Sequence, residues 1–397
     1  MVGNIEKRKN NENTKNLVFV LLALMLSFFC ILKVIRGSDS ESTAQGGIWN
    51  YISLLYYPVF LFLVLQKDGF RPKPVFLIAL CYLFFAVVAT FANFSAQLSI
   101  ATMYNILMVP YPFVVFFSFY LASEKAINCE KIILFGYFVC LLLNLYSYAR
   151  SSMAGEELLM KSDIYFSLGL FPFALQFLKR KSIKTIAIVI QFLAVFLSDK
   201  RTALISFVIA LVLYFLINTY VKNGNLLNAI GAFVIIALGS VVFYKLAIFI
   251  DGKFGLGVIS RLLDLSEDGG SGRLDIYSNV WNAFNESSLL EQLFGHGMNA
   301  SAAVAGAGKA HNDFLQILYD YGAIAFLLIV LFYFSFIVDA VRLIRRKSVY
   351  AASFVFSIVI GLFLAMLSYF IVYFTYVTCI MAFWGYVLKM KNTVGDN

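Results

Sequence analysis

The sequence predicts an all-α, polytopic integral membrane protein. Of its 397 residues, 61% are hydrophobic and only 13% charged. The apolar residues gather into runs that approach the roughly 20 residues needed to cross a hydrocarbon core of about 30 Å. Those runs are also too continuous for the alternation that a membrane β-strand would show. Lipid offers the backbone no hydrogen-bond partners, so such runs must satisfy their own amides as helices.

About twelve spans follow in order. Residues 17–35 come after a basic head, "MVGNIEKRKNNENTK"; the pattern imitates a signal peptide, but no small-residue cleavage site follows closely, so it reads as an uncleaved first span. Runs 48–66 and 74–92 come next. Run 98–121 contains Pro110 and Pro112, which remove backbone donors and predict a kinked or broken helix. Runs 132–148, 164–178, 184–198, 202–219 and 226–250 continue the series. Runs 314–340, 349–368 and 371–388 close it, the last two nearly continuous. The whole chain, residues 1–397, thus reads as a single membrane domain.

The net charge of +9 raises the question of nucleic acid. The basic residues lie in short segments between apolar runs, however, where they govern topology and leave no nucleic-acid surface. "KRKSIK" (179–184) and "RLIRRK" (342–347) place both termini in the cytoplasm. Residues 251–312 then form one large extracytoplasmic loop, a length that is unusual unless functional. Within it, Tyr277, Val280, Trp281 and Phe284 stand at helical spacing and predict an amphipathic helix near 273–294 on the outer face of the bundle. That spacing favours packing of the aromatic rings over stacking on sugar. Cys30, Cys81, Cys129, Cys140 and Cys379 lack metal-ligand spacing and read as buried, inert thiols. His296 and His311 lack flanking ligands as well, so neither a metal nor a cofactor is expected.

Three polar clusters fall on the same predicted side. In "LSDKRTALI", Asp199, Lys200 and Arg201 fill a short outer connection; two cations at a helix N-terminus oppose both the helix dipole and the positive-inside trend, unless an anion offsets them. A cap by Asp199 with snorkelling side chains explains the same residues. In "GGSGRLD", Ser271 or Gly272 caps a helix whose first turn holds Arg273, and free amides beside a guanidinium suit phosphate oxygens. A glycine linker with a capping serine explains that stretch too. In "KAHNDFLQILYDYG", Asn312 and Asp313 are cap and first-turn residues, with His311 just ahead of the helix. A helix N-terminus favours neutral imidazole and a nearby phosphate the charged form, so the residues leave both a base and a structural hydrogen-bonding role open. Combined, the clusters supply cations for a diphosphate and a base for a hydroxyl, the equipment for glycosyl transfer from a lipid-linked sugar.

These residues resemble the O-antigen polymerase and ligase superfamily of bacterial envelope glycosyltransferases. "SDKRTALI" looks like the family's Ser-x-x-Arg-Thr element, "SGRLDIY" like its Ser-Gly-Arg element in the large outer loop, and "FGHGMN" like the Gly-x-Gly step that follows. "HNDFLQILYDYGAIAFL" is similar to its His-Asn-x-Phe-Leu helix with a downstream glycine. The resemblance covers about 190–340. It implies a multi-helix, GT-C-like membrane glycosyltransferase that works without a metal. It also implies that Arg201 and Arg273 bind the diphosphate of an undecaprenyl-linked oligosaccharide and that His311 assists the acceptor hydroxyl. Lys200, by adjacency, and Ser271, Gly272 and Asn312, as cap residues, join them as candidate substrate-binding residues. The partners implied are the lipid-linked oligosaccharide, the bilayer and, for a polymerase, a chain-length regulator. Polymerase is preferred over ligase because no added soluble acceptor domain is present. A flippase for the same lipid would carry ionisable residues in mid-span, and the span interiors are nearly free of them.

Overall fold

A computed structural model of the chain describes residues 2–36, 48–66, 74–93, 100–122, 127–153, 163–198, 200–224, 245, 248–249, 252, 272–306, 310–372 and 374–393. The expected span at 226–250 lies almost wholly outside the described residues, and so does most of 251–271. Every other expected run falls on helix, and no strand occurs among the described residues. Helix α1 (Val2–Arg36) opens the chain. A 3-10 helix (Ile48–Leu55) runs into α2 (Tyr56–Leu65), and then come α3 (Pro74–Ala92), α4 (Ile100–Met108), α5 (Tyr111–Ala122), α6 (Ile127–Met153), α7 (Ile164–Phe177), α8 (Lys181–Leu197) and α9 (Arg201–Asn223). The loop segment holds α10 (Arg273–Glu286), α11 (Leu289–Phe294) and α12 (Ser301–Val304). The last three helices are α13 (Asp313–Arg345), α14 (Ala351–Leu367) and α15 (Phe374–Thr393).

Among the described residues, five segments are long and apolar enough to cross a membrane: Asn16–Ile35, Pro74–Ala92, Cys129–Arg150, Arg201–Asn223 and Asp313–Arg345. Shorter apolar helices accompany them, including Tyr111–Ala122, Ile164–Phe177 and Ala351–Leu367. Several of the runs expected as full spans are therefore shorter helices. Proline accounts for one of these: the run at 98–121 is divided between α4 and α5 at Val109 and Pro110, where the missing amide ends the first helix.

In lipid, helices associate through close packing and interhelical hydrogen bonds, because burial from water drives nothing there. The C-terminal helix is the hub of that packing. Its Trp384 is fully buried, packs with its ring 4.3 Å from that of Phe336 of α13 and donates from Nε1 to Ser357 of α14 at 2.9 Å. Helix α15 lies against α5 and α7, α14 against α9, α1 against α6, and α13 against α3. On the outward faces, Leu77, Phe84, Phe91, Leu327 and Phe334 stay exposed, as lipid-facing residues do. Cys81 shares that face of α3 and is exposed, unlike the other four cysteines. The expectation of five buried thiols is corrected for this one, because α3 turns its Ala79, Tyr82, Ala86, Ala89 and Thr90 stripe inward.

Candidate active site

Helix α13 is two helices in sequence. Gly322 interrupts it with φ 85 and ψ 172, a conformation essentially reserved for glycine. The kink is formed by the chain that wraps it. A Cβ on Gly322 would lie 2.3 Å from the Leu293 carbonyl oxygen, and one on Gly295 would lie 2.3 Å from the Asp320 carbonyl oxygen. Backbone thus meets backbone where the "FGHGMN" stretch crosses α13. The amides of His296 and Gly297 donate to the carbonyls of Tyr319 and Asp320 at 3.1 and 2.8 Å. Buried Asp320 accepts from the amides of Asn299 at 3.1 Å and Ser301 at 2.7 Å. The His296 ring stacks on Tyr319 with centroids 4.1 Å apart and its Nε2 lies 3.0 Å from Ser287 Oγ. The Gly-x-Gly step and His296 are accounted for as a lock between the loop segment and α13.

The amphipathic stretch expected near 273–294 is divided in two. Ser288 caps α11 in a reciprocal capping box with Glu291, and such a box starts a new helix. The Ser288 hydrogen bonds hold the exposed Glu291 carboxyl below its ordinary pKa. Helix α10 buries Ile276 and Val280 against Ala305, Ala310 and Tyr319, with Tyr277 and Phe284 packed at the edge. Trp281 is exposed and stacks on Phe284 at 6.0 Å.

The short connection between α14 and α15 collects the predicted site. Arg273, the first residue of α10, donates from Nη1 to the Leu367 carbonyl at the end of α14. One turn later, Tyr277 Oη lies 3.1 Å from the His311 carbonyl and 3.4 Å from that of Met366. Burial pushes the Tyr277 hydroxyl above its ordinary pKa, against the opposing charge of Arg273 and a hydrogen bond with the Asn312 side chain. Tyr277 therefore stays protonated and donates. His311 donates its backbone N–H to Tyr369 Oη at 3.1 Å, and its ring lies on Tyr369 at 4.9 Å. Its φ is +51, a left-handed conformation that costs a non-glycine residue about 1–3 kcal/mol and tends to persist at functional sites. Asn312 then caps α13, its side chain accepting from the Leu315 amide at 3.1 Å. Buried Asp313 accepts from the amides of Phe370 at 2.9 Å and Ile371 at 2.5 Å.

Arg201 reaches this connection indirectly. It is the first residue of α9, half-buried, with its Nε and Nη1 atoms shielded from solvent. Its neighbour Thr202 is hydrogen-bonded to the Tyr165 side chain on α7, which also binds the Ser368 side chain and feels the charge of Arg273. Lys200 occupies the N-cap of α9 in extended conformation, its amide donating to Ser198 Oγ at 3.4 Å. Gly272 is the N-cap of α10, in a left-handed conformation at φ 73. Asp199 and Ser271 lie outside the described residues, so the anion-binding turn expected around Ser271 is described only from Gly272 on. Tyr165, Tyr277 and Tyr369 are candidate site residues that spacing did not single out as polar groups: Tyr277 read as part of an apolar stripe, Tyr165 sits in an apolar run, and Tyr369 falls in the short gap between the last two runs. Among the described residues, no group of three or more His, Cys, Asp or Glu could hold a metal ion.

This is an α-helical, polytopic membrane protein whose polar residues gather where α9, α10 and α13 begin and α14 ends. Residues 186–330 match a family model described as O-Antigen ligase, which supports kinship with the O-antigen polymerase and ligase superfamily and a glycan-processing enzyme of the glycosyl-transfer type. The matched segment contains Arg201, Arg273 and His311. A comparison with curated proteins returned no match.

Proposed function

We propose that this protein polymerises a bacterial surface polysaccharide, O-antigen or capsule, by joining undecaprenyl-diphosphate-linked repeat units on the outer face of the plasma membrane. In this reading both termini are cytoplasmic and the fold is GT-C-like. One observation carries it: Arg273 and His311, both inside the segment that matches the family, contact the end of α14 and the connection that follows it. A cation for a leaving diphosphate and an imidazole for an acceptor hydroxyl then share one site.

The acceptor hydroxyl attacks the anomeric carbon of the donor oligosaccharide. A new C–O bond forms as the bond to the diphosphate breaks, and undecaprenyl diphosphate leaves with the electron pair. A single displacement inverts the anomeric configuration. Arg201 and Arg273 stabilise the charge that develops on the leaving group, the kind of contribution that pre-placed donors make best. Lys200, Ser271 and Gly272 are proposed to extend the same anion site. His311 takes or orients the hydroxyl proton. Asn312, half-buried beside it, is proposed to hold the acceptor in addition to capping α13.

Ligase is the second reading, favoured by the description of the matched family. The purified protein, given only a synthetic undecaprenyl-diphosphate repeat unit, is expected to release undecaprenyl diphosphate and build a ladder of products. Carrier release that appears only on addition of a lipid A core acceptor makes the protein a ligase. Translocation of the lipid without release of the carrier defeats both enzyme readings in favour of a flippase.

A further inference from the structure

His311 holds a left-handed backbone conformation, uncommon for a residue other than glycine. What holds it comes from two other elements. From the α14–α15 connection, Tyr369 accepts the His311 backbone N–H through Oη at 3.1 Å and places its ring under the imidazole at 4.9 Å. From α10, Tyr277 bonds the His311 carbonyl at 3.1 Å. Both backbone polar groups of His311 are thereby taken by tyrosine hydroxyls. The connection that carries Tyr369 is itself pinned, because buried Asp313 binds the amides of Phe370, Ile371 and Val372.

We infer that Tyr369 is a positioning residue for His311: with Tyr277 it forms a clasp that fixes the backbone and ring of His311, and Asp313 holds the clasp in place. The inference rests on the reaction proposed above, in which His311 meets the acceptor hydroxyl. An imidazole that swings away from that hydroxyl still leaves the donor's diphosphate on its arginines, so loss of the clasp affects turnover and spares donor binding.

Tyr369→Phe keeps the ring and removes the acceptor for the His311 amide. The chain has two histidines, His296 and His311, so protein labelled with 15N-histidine and purified without a histidine tag gives two backbone amide signals, assigned by His296→Gln. In Tyr369→Phe the His311 amide signal is expected to move while that of His296 stays. The kcat on the undecaprenyl-diphosphate repeat unit is expected to fall at least tenfold, with KM for that donor within twofold of wild type. Tyr277→Phe is expected to show the same division of kcat and KM, and stands in if Tyr369→Phe does not fold. An unmoved His311 amide, an unchanged kcat, or a loss confined to KM overturns the inference. If the amide moves but the wild-type protein does not act on the repeat unit, the proposed reaction fails, and the positioning role with it, although the hydrogen bond is confirmed.

Discussion

Arg273 spends one of the five N–H donors of its guanidinium on the Leu367 carbonyl, which orients the plane of the group and, in the proposed reaction, leaves the other donors for the diphosphate. Arg273→Ala is expected to lower kcat/KM by about 2–5 kcal/mol of transition-state stabilisation, roughly thirty-fold to several thousand-fold, while expression stays intact. Arg273→Lys recovers only part of this, since a point charge does not reproduce the planar fork. Arg201→Ala is expected to behave in the same way. Polymer of wild-type length and yield from both alanine variants would return these arginines to a structural role. His311 is tested through pH: if it is the base, wild-type kcat/KM is expected to fall on the acid side, and a His311→Gln enzyme is expected to be slower with that limb removed. A Gln variant that keeps the limb assigns it to another group and leaves His311 to orient the hydroxyl.

At the scale of elements, the break in α13 positions the site. The half-helix Asp313–Tyr321 turns away from the remainder at Gly322, and the chain from Leu293 to Ser301 crosses in contact with it. Gly322→Ala puts a methyl group 2.3 Å from the Leu293 carbonyl in a backbone region closed to alanine. The expected cost exceeds about 3 kcal/mol, read as a lower thermal midpoint and a lower yield of folded protein. A variant as stable as wild type means that the crossing chain can retreat. Asp320→Asn leaves one acceptor oxygen where Oδ1 and Oδ2 accept from the Ser301 and Asn299 amides, so one of these two hydrogen bonds is lost, for about 1–3 kcal/mol. Asp313 and Asp320 also qualify the expectation that span interiors are free of ionisable groups. Both are buried in the first turns of α13 and bind backbone amides of connecting segments, so they fasten loops.

Over the whole molecule, the charge pattern and the site make a joint prediction about sidedness. In a cysteine-free background, Asn282→Cys on the exposed face of α10 is expected to react with a membrane-impermeant maleimide in intact spheroplasts. Arg346→Cys, exposed after α13, is expected to react only after permeabilisation. The reverse pattern would put the site in the cytoplasm, where the proposed reaction has no substrate on the outer leaflet to act on.

Composition and run length alone determined that this chain crosses a membrane as helices, because lipid leaves the backbone no other way to satisfy its amides. Local chemistry was equally legible: Pro110 ends α4, Asn312 caps α13, and Arg201 and Arg273 each open a helix, since these effects act within one turn. What the sequence left open is long-range. Tyr369 looks like one more aromatic between two nearly continuous apolar runs, and its contact with His311 exists only because the α14–α15 connection returns beside residue 311. Gly322 reads as a downstream glycine, and its necessity appears only when another backbone passes within reach of a Cβ. Hydrogen bonds to strained peptide units and backbone-to-backbone crossings depend on residues far apart in the chain, so tertiary packing decided them.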